Sequence, residues 1–308
     1  MPIAFWLIVV LGALWVAFMP HERIEPPSIT VKVQKAPAPV YEVPNAVLDK
    51  GDPLSSFFPE MKNIIIPVLP APPPPSRKPE HKILVALVID DMGLDIEETK
   101  EAIQLPPVVT LSFLPYALRA RAQATEARAK GHEILLHMPM EPVGHQSPGP
   151  GALLVDLPPS EQEARLDTAL ASLTGFDGIN NHMGSRFTAY RKGMERVANN
   201  LLERNLFLLD SRTSAQSVAW AVAQEKGLPS IKRDVFLDDI RTPEALRRQL
   251  LALEQIAYKQ GYAVAIGHPH AVTLESLKEW IPKAEEKGIK LVPLNVLVRE
   301  QNAKTLRR

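Results

Sequence analysis

The sequence predicts a parallel (β/α)7–8 barrel over residues 82–308, preceded by an apolar segment over 1–20 and a proline-rich linker over 21–81. Beyond Lys82, short β-rich apolar runs alternate with helical stretches of about 10 to 20 residues, the pattern of a parallel sheet with right-handed crossovers. Seven or eight such units favour closure into a barrel over an open doubly wound sheet, and no Gly-x-Gly-x-x-Gly loop follows the first strand. Polar and ionisable residues also follow the apolar runs in order, as expected where strand ends form one rim.

The predicted strands are Ile83–Ile89, Val108–Phe113, Glu133–Leu136, Gly178–Asn181, Leu206–Leu209, Ile231–Phe236, Tyr262–Ile266 and Ile289–Leu294. Among the helices between them, Ser160 and Glu163 have the spacing of a capping box ahead of Leu166, Leu170 and Leu173. Thr242-Pro243-Glu244 opens another, with Leu246, Leu250, Leu253 and Ile256 on one face. Gly131, Gly175, Gly227, Gly261 and Gly288 stand where left-handed helix stops are expected.

Ahead of the barrel, Pro2 to Pro20 is a nearly unbroken apolar run without a charge, close to the ~20 residues a bilayer span requires. No small-x-small cleavage site follows it, so an uncleaved anchor is favoured over a removed signal peptide, and the barrel domain is expected to be exported at the cell envelope. The linker is an extended proline spacer in which Ile29 to Val33 and Ile64 to Val68 are candidates for short strands. Lys+Arg and Asp+Glu balance at 35 each, which leaves no basic field for nucleic acid. With no cysteine, thiol catalysis and thiolate metal sites are excluded, and carboxylates and imidazoles remain as the available metal ligands.

The strand ends carry Asp90-Asp91, His137, Asn180-Asn181-His182, Asp210-Ser211-Arg212, Asp234 with Asp238-Asp239, and His268-Pro269-His270. Singly, such an Asp is most often a turn or cap residue and such a His a satisfied core group; jointly they would converge on one rim. Adjacent carboxylates repel unless a cation or proton intervenes. One Asp with two histidines suits Zn2+ or a similar divalent ion, leaving the second Asp free to act as a base for metal-assisted hydrolysis.

Val88-Ile89-Asp90-Asp91-Met92-Gly93 resembles the first motif of the polysaccharide deacetylases, and Gly131-His132-Glu133-Ile134-Leu135-Leu136-His137 resembles the second. With Leu136–Pro142, Asn180–Ser185, Leu209–Thr213, Arg233–Asp238 and Gly267–His270, the segment from 82 to 300 is most similar to the divergent polysaccharide deacetylase family. The resemblance implies Asp90 as catalytic base, Asp91 and His137 as metal ligands and His268 as the acid. Four residues after His137, where the deacetylases carry another ligand, stands Glu141, and their Arg-x-Pro-Tyr motif is missing. For the third ligand, His182 at a strand end is favoured over Glu141 on its Pro-flanked loop. Glu141, Asn181, Asp210, Arg212, Asp234 and His270 are then expected to contact substrate or orient the ligands.

The reaction expected first is hydrolytic removal of an acyl group, N-acetyl foremost, from a carbohydrate, with Zn2+ as the foremost candidate ion. The alternatives are a catalytically weak glycan- or metal-binding envelope factor, and a glycoside or ester hydrolase working with paired carboxylates such as Asp90 and Asp210.

Overall fold

The computed structural model describes residues 83–305. The expected anchor over 1–20, the linker over 21–81 and its two strand candidates lie outside the described residues. Among the described residues no helix is long and apolar enough to cross a membrane.

The strands are β1 (Ile83–Met92), β2 (Thr110–Phe113), β3 (Ile134–Met140), β4 (Gly178–Met183), β5 (Phe207–Asp210), β6 (Ser230–Lys232), β7 (Val235–Phe236), β8 (Tyr262–Gly267) and β9 (Ile289–Leu291). The helices are α1 (Ile96–Ala102), α2 (Ala120–Ala129), α3 (Pro159–Ser172), α4 (Arg191–Glu203), α5 (Ala219–Glu225), α6 (Pro243–Gln260), α7 (Ala271–Glu286) and α8 (Leu294–Thr305). Every strand pairing is parallel, and the order is β6-β5-β4-β3-β2-β1-β8-β7. The sheet is curled, with helices alternating between strands, consistent with a (β/α) barrel. β9 joins the first half of β1, at Ile83 to Val85, and β2 joins the second half, from Val88.

One expected strand is two. Ile231–Phe236 divides at Arg233 and Asp234, whose N–H groups donate in different directions, to Asp210 O on β5 and to Val264 O on β8. A single segment thus pairs first with β5 and then with β8, the two strands beyond which the sheet path ends. Several strands also outrun expectation: β1 includes Asp90 and Asp91, β3 includes His137, and β4 includes His182. Their polar side chains are therefore mounted on the ladder and not on loops.

The core has two layers of different parity. Ile83, Val85, Leu87 and Ile89 pack with the inner faces of the helices, including Leu166, Leu246 and Leu277. Leu84, Ala86 and Val88 face the other way, meeting Leu135, Leu209 and Ile266 inside the curl. Leu294, Leu297 and Val298 of α8 join this inner layer, so α8 closes the end of the curl at which the strands begin.

Helix boundaries follow the sequence signals with two exceptions, both on α3. Thr242 Oγ1 accepts from Ala245 N and caps α6, and Gly261 ends that helix at φ 87°. Gly131, Gly227 and Gly288 also have positive φ directly after the caps of α2, α5 and α7, whereas Gly175, at positive φ too, lies beyond the extended Leu173 that ends α3 and does not cap it. The Ser160–Glu163 capping box is not formed, because Pro158-Pro159 starts α3 earlier and places Ser160 inside its first turn.

Glu133 and His132, part of the second motif, lie at the strand-start end and not beside His137. The His132 ring nitrogens lie against Val109 O (2.8 Å) and Ile103 O (3.2 Å). The Glu133 carboxylate accepts from Thr110 Oγ1 (2.9 Å) and from Asn295 N at the start of α8 (3.1 Å), while Leu294 N donates to Thr110 Oγ1 (3.2 Å). These contacts satisfy helix N–H groups that lack an intrahelical partner and fasten α8 to the sheet. Burial outweighs them and pushes Glu133 up to about 7 from 4.5. A carboxyl raised on folding contributes most to stability below about pH 4.5, and the contribution is lost as pH rises through about 7. Glu133→Gln, neutral throughout, is expected to gain thermal stability relative to the parent between those two pH values, by up to roughly 3 kcal/mol at ~1.4 kcal/mol per pH unit. Melting curves of the intact chains across that range check it; a constant difference between the two overturns it.

Candidate active site

The two-residue period of a strand selects which residues enter the curl. Two positions beyond inward-facing Val88 comes Asp90; two beyond Leu135 comes His137; two beyond Ile266 comes His268. Asn180 is paired in register with His137 and shares its face, and His182 follows two residues later. Just above the apolar layer, the strands thus deliver a polar layer.

Asp91 has the wrong parity for this layer and reaches it through a backbone irregularity. Its φ is 56°, and the β1–β2 register shifts between Ile89 and Met92. The left-handed residue turns its carboxylate toward the same mouth as Asp90. Met183 and Arg212, at the ends of β4 and β5, are also left-handed, at 51° and 52°.

Asp91, His137 and His182 each place a donor atom within 4.8 Å of the others. Asp91 Oδ1 is 2.9 Å from His182 Nδ1 and 3.3 Å from His137 Nε2, and those nitrogens are 3.3 Å apart. Yet Asp91 Oδ1, fully shielded from solvent, has no donor at hydrogen-bonding angles. An orphaned oxygen and two imidazole nitrogens around one point match what a divalent cation takes, and this oxygen–nitrogen donor set fits Zn2+ or a similar ion. Burial alone would raise Asp91, but the two imidazoles hold its carboxyl well below the usual range.

Asp90 is buried beside this group, with Oδ2 3.6 Å from His137 Nε2. Both its oxygens accept from Asn180 Nδ2 at 2.9 Å. Burial pushes its carboxyl up, against the lowering effect of His137, His268 and Asn180.

On the other side of the mouth, His268 Nε2 is 3.9 Å from Asp91 Oδ2. Asp238 grips His268 twice, accepting from Nδ1 at 2.9 Å and from the backbone N at 2.6 Å, and Thr273 Oγ1 holds the same carboxylate at 2.8 Å. Phe236 meets the imidazole edge-on at 5.4 Å, and His270 stacks at 5.9 Å. Burial would lower His268, but Asp238, with Asp91 and Asp90, raises it to about 9, so the ring is cationic at neutral pH with an Nε2–H available. Asp238, His268 and His270 also lie close enough to be a second candidate metal group, although the short Asp238–His268 bond already occupies Nδ1.

The remaining predicted residues divide. His270 borders the mouth, its imidazole lowered by burial and by Arg241. Asn181 faces away from the polar layer, accepting from Ser211 N and donating to Met183 O. The Asp210 carboxylate is engaged by Arg212 N, Ser217 Oγ and Trp220 N at the start of α5, so it forms no pair with Asp90. Asp234 accepts from Val264 N and Gln260, bracing the divided strand. Arg212 contributes its carbonyl to Arg233 Nη2. Glu141 accepts from Val155 N and pairs with Arg186, outside the three-donor group, so of the two third-ligand candidates His182 is the one positioned there. Asn180 and Asp238 were named at strand ends but given no role, and Ser112 was not named; it is the register of Asn180 with His137 that puts Asn180, not Asn181, in the polar layer.

A curled parallel sheet with acidic and imidazole groups at its strand-end mouth, together with the family match, makes this a polysaccharide deacetylase-like protein. Residues 87–298 match the divergent polysaccharide deacetylase family, and the chain belongs to that family. Among its relatives is a Haemophilus influenzae protein 37% identical over 217 residues, covering 70% of this chain and 77% of the relative. Escherichia coli YibQ is 36% identical over 197 residues, covering 64% of this chain and 62% of YibQ. The crystal structure of ATU2773 from Agrobacterium tumefaciens is 32% identical, with TM-score 0.69, covering 72% of this chain and 91% of that one.

Removing the Asp238 charge should release His268. In Asp238→Asn the imidazole midpoint, about 9 in the parent, is expected to fall by roughly one pH unit or more toward the ordinary value. Titration of the His268 ring proton by NMR measures it; an unmoved midpoint would mean that Asp238 does not set it.

Proposed function

We propose that this domain is a metal-dependent hydrolase that removes an acyl group, N-acetyl foremost, from a carbohydrate, and that the N-terminal apolar segment tethers it, exported, at the cell envelope. The observation that carries the reading is the placement of a candidate base, Asp90, and an Asp238-held acid, His268, around the Asp91–His137–His182 donor group.

A divalent ion held by Asp91, His137 and His182 would supply polarisation of the scissile carbonyl. Asp90 takes a proton from water as its oxygen bonds to the acyl carbon. His268 then gives its Nε2 proton to the amide nitrogen as the C–N bond breaks, leaving acetate and a free amine, while Asp238 keeps the imidazole aimed. The proton on Asp90 passes to solvent and His268 is reprotonated. Family membership supports the carbohydrate, and the low aromatic content, 6% of the chain, favours a short or small one. A glycan- or metal-binding factor without turnover is the second reading, favoured by Glu141, which stands at a ligand position of the deacetylases but pairs with Arg186.

Asp91→Asn and His137→Ala are expected to weaken Zn2+ binding, whereas Asp90→Asn keeps the ion and lowers acetate release from N-acetylated amino-sugar oligomers roughly 10²–10⁴-fold. Chelator competition and acetate assays on the intact chain distinguish them. No acetate from the parent with Zn2+, Co2+ or Mn2+, alongside retained metal binding, would favour the binding-factor reading. Cell fractionation checks the tether: the chain is expected with membranes, and a variant lacking residues 1–20 in the soluble fraction.

A further inference from the structure

We infer that Asn180 is the positioning residue that couples the base to a metal ligand, setting Asp90 and the His137 tautomer through one side-chain amide. The inference rests on the hydrolase reading for the names base and ligand, but its geometry does not. Asn180 is wholly buried, on the inward face of β4 between β3 and β5.

The amide has one chemically consistent orientation. Its nitrogen lies 2.9 Å from both oxygens of Asp90 and 3.1 Å from Ser211 Oγ. A carboxylate only accepts, so the group facing it must be the NH2. The amide oxygen consequently faces Ser112 Oγ at 2.6 Å and His137 Nδ1 at 2.9 Å, and both must donate to it. In the neutral ring, a proton fixed on Nδ1 leaves His137 with an unprotonated Nε2 lone pair toward Asp91 and His182, as a metal ligand requires. Ser112 and Ser211, both buried, complete the hydrogen bonding of the amide oxygen and nitrogen.

Each end of the amide therefore has a separate task, and two substitutions separate them. Asn180→Asp keeps an acceptor for His137 but replaces the donor to Asp90 with a second carboxylate. Asn180→Ala removes both. Asp is expected to leave Zn2+ affinity close to the parent while lowering kcat with KM little changed. Ala is expected to weaken Zn2+ binding roughly 10–100-fold, the range for loss of a partner that orients a ligand. In the Zn2+-loaded intact chain, a downfield Nδ1–H proton signal of His137 is expected in the parent and in Asn180→Asp and absent in Asn180→Ala.

Equal loss of Zn2+ by both variants, or full affinity and a persisting Nδ1–H signal in Asn180→Ala, overturns the proposal. Should Asn180→Ala not fold, Ser112→Ala, which removes one hydrogen bond behind the amide, is expected to weaken Zn2+ binding in the same direction by a smaller factor. Unchanged affinity there also overturns it. Because affinity and the proton signal need no substrate, absence of acetate release by the parent would count against the hydrolase reading alone.

Discussion

Side chains in a strand alternate between its two faces, and in a curled parallel sheet one face has no solvent exposure except at the ends. That constraint places most of the candidate site. Leu84, Ala86, Val88 and Asp90 lie on one line, as do Leu135 and His137, and Ile266 and His268. The same inward row is oily for most of its length and polar at its last position. The apolar layer beneath acts as a low-dielectric floor, which is why the groups above it depart so far from their ordinary titration.

Asp91 is the departure from alternation on which the candidate metal group depends. A regular strand would turn its carboxylate into the helix layer with Ile89. The left-handed backbone at 56° brings it to the mouth instead, at a steric cost of order 1–3 kcal/mol. Asp tolerates that conformation better than most residues. Asp90 and Asp91 thus reach one small volume from adjacent positions, while retaining distinct neighbours: Asn180 for the first, the two imidazoles for the second.

Much of this was legible beforehand. Apolar runs and glycine stops gave strand order and helix faces, and ordered polar residues at strand ends located the mouth. What remained hidden follows from two causes. Strand lengths were underestimated at β3 and β4, where His137 and His182 read as the ends of the apolar runs although they and the residues after them continue the ladder. The choice between neighbours such as Asn180 and Asn181, or Asp234 and Asp238, turns on facing and on the break at Arg233, and composition says nothing of either. Proximity in a motif is also not proximity in space: His132, Glu133 and His137 are close in sequence, yet the first two secure the opposite end of the sheet.

Helix α8, at the end of the described chain, forms the floor of the inner layer, and β1, at its beginning, is the strand onto which β8 and β9 must pair. A polypeptide is made from its N-terminus, so β2 can pair with β1 early, whereas β8 and β9, its other partners, exist only after nearly the whole domain has been synthesised. Such pairing across long sequence separation is slow and leaves apolar edges exposed in the interim. Closure of the inner layer therefore comes late, when synthesis has delivered its closing helix.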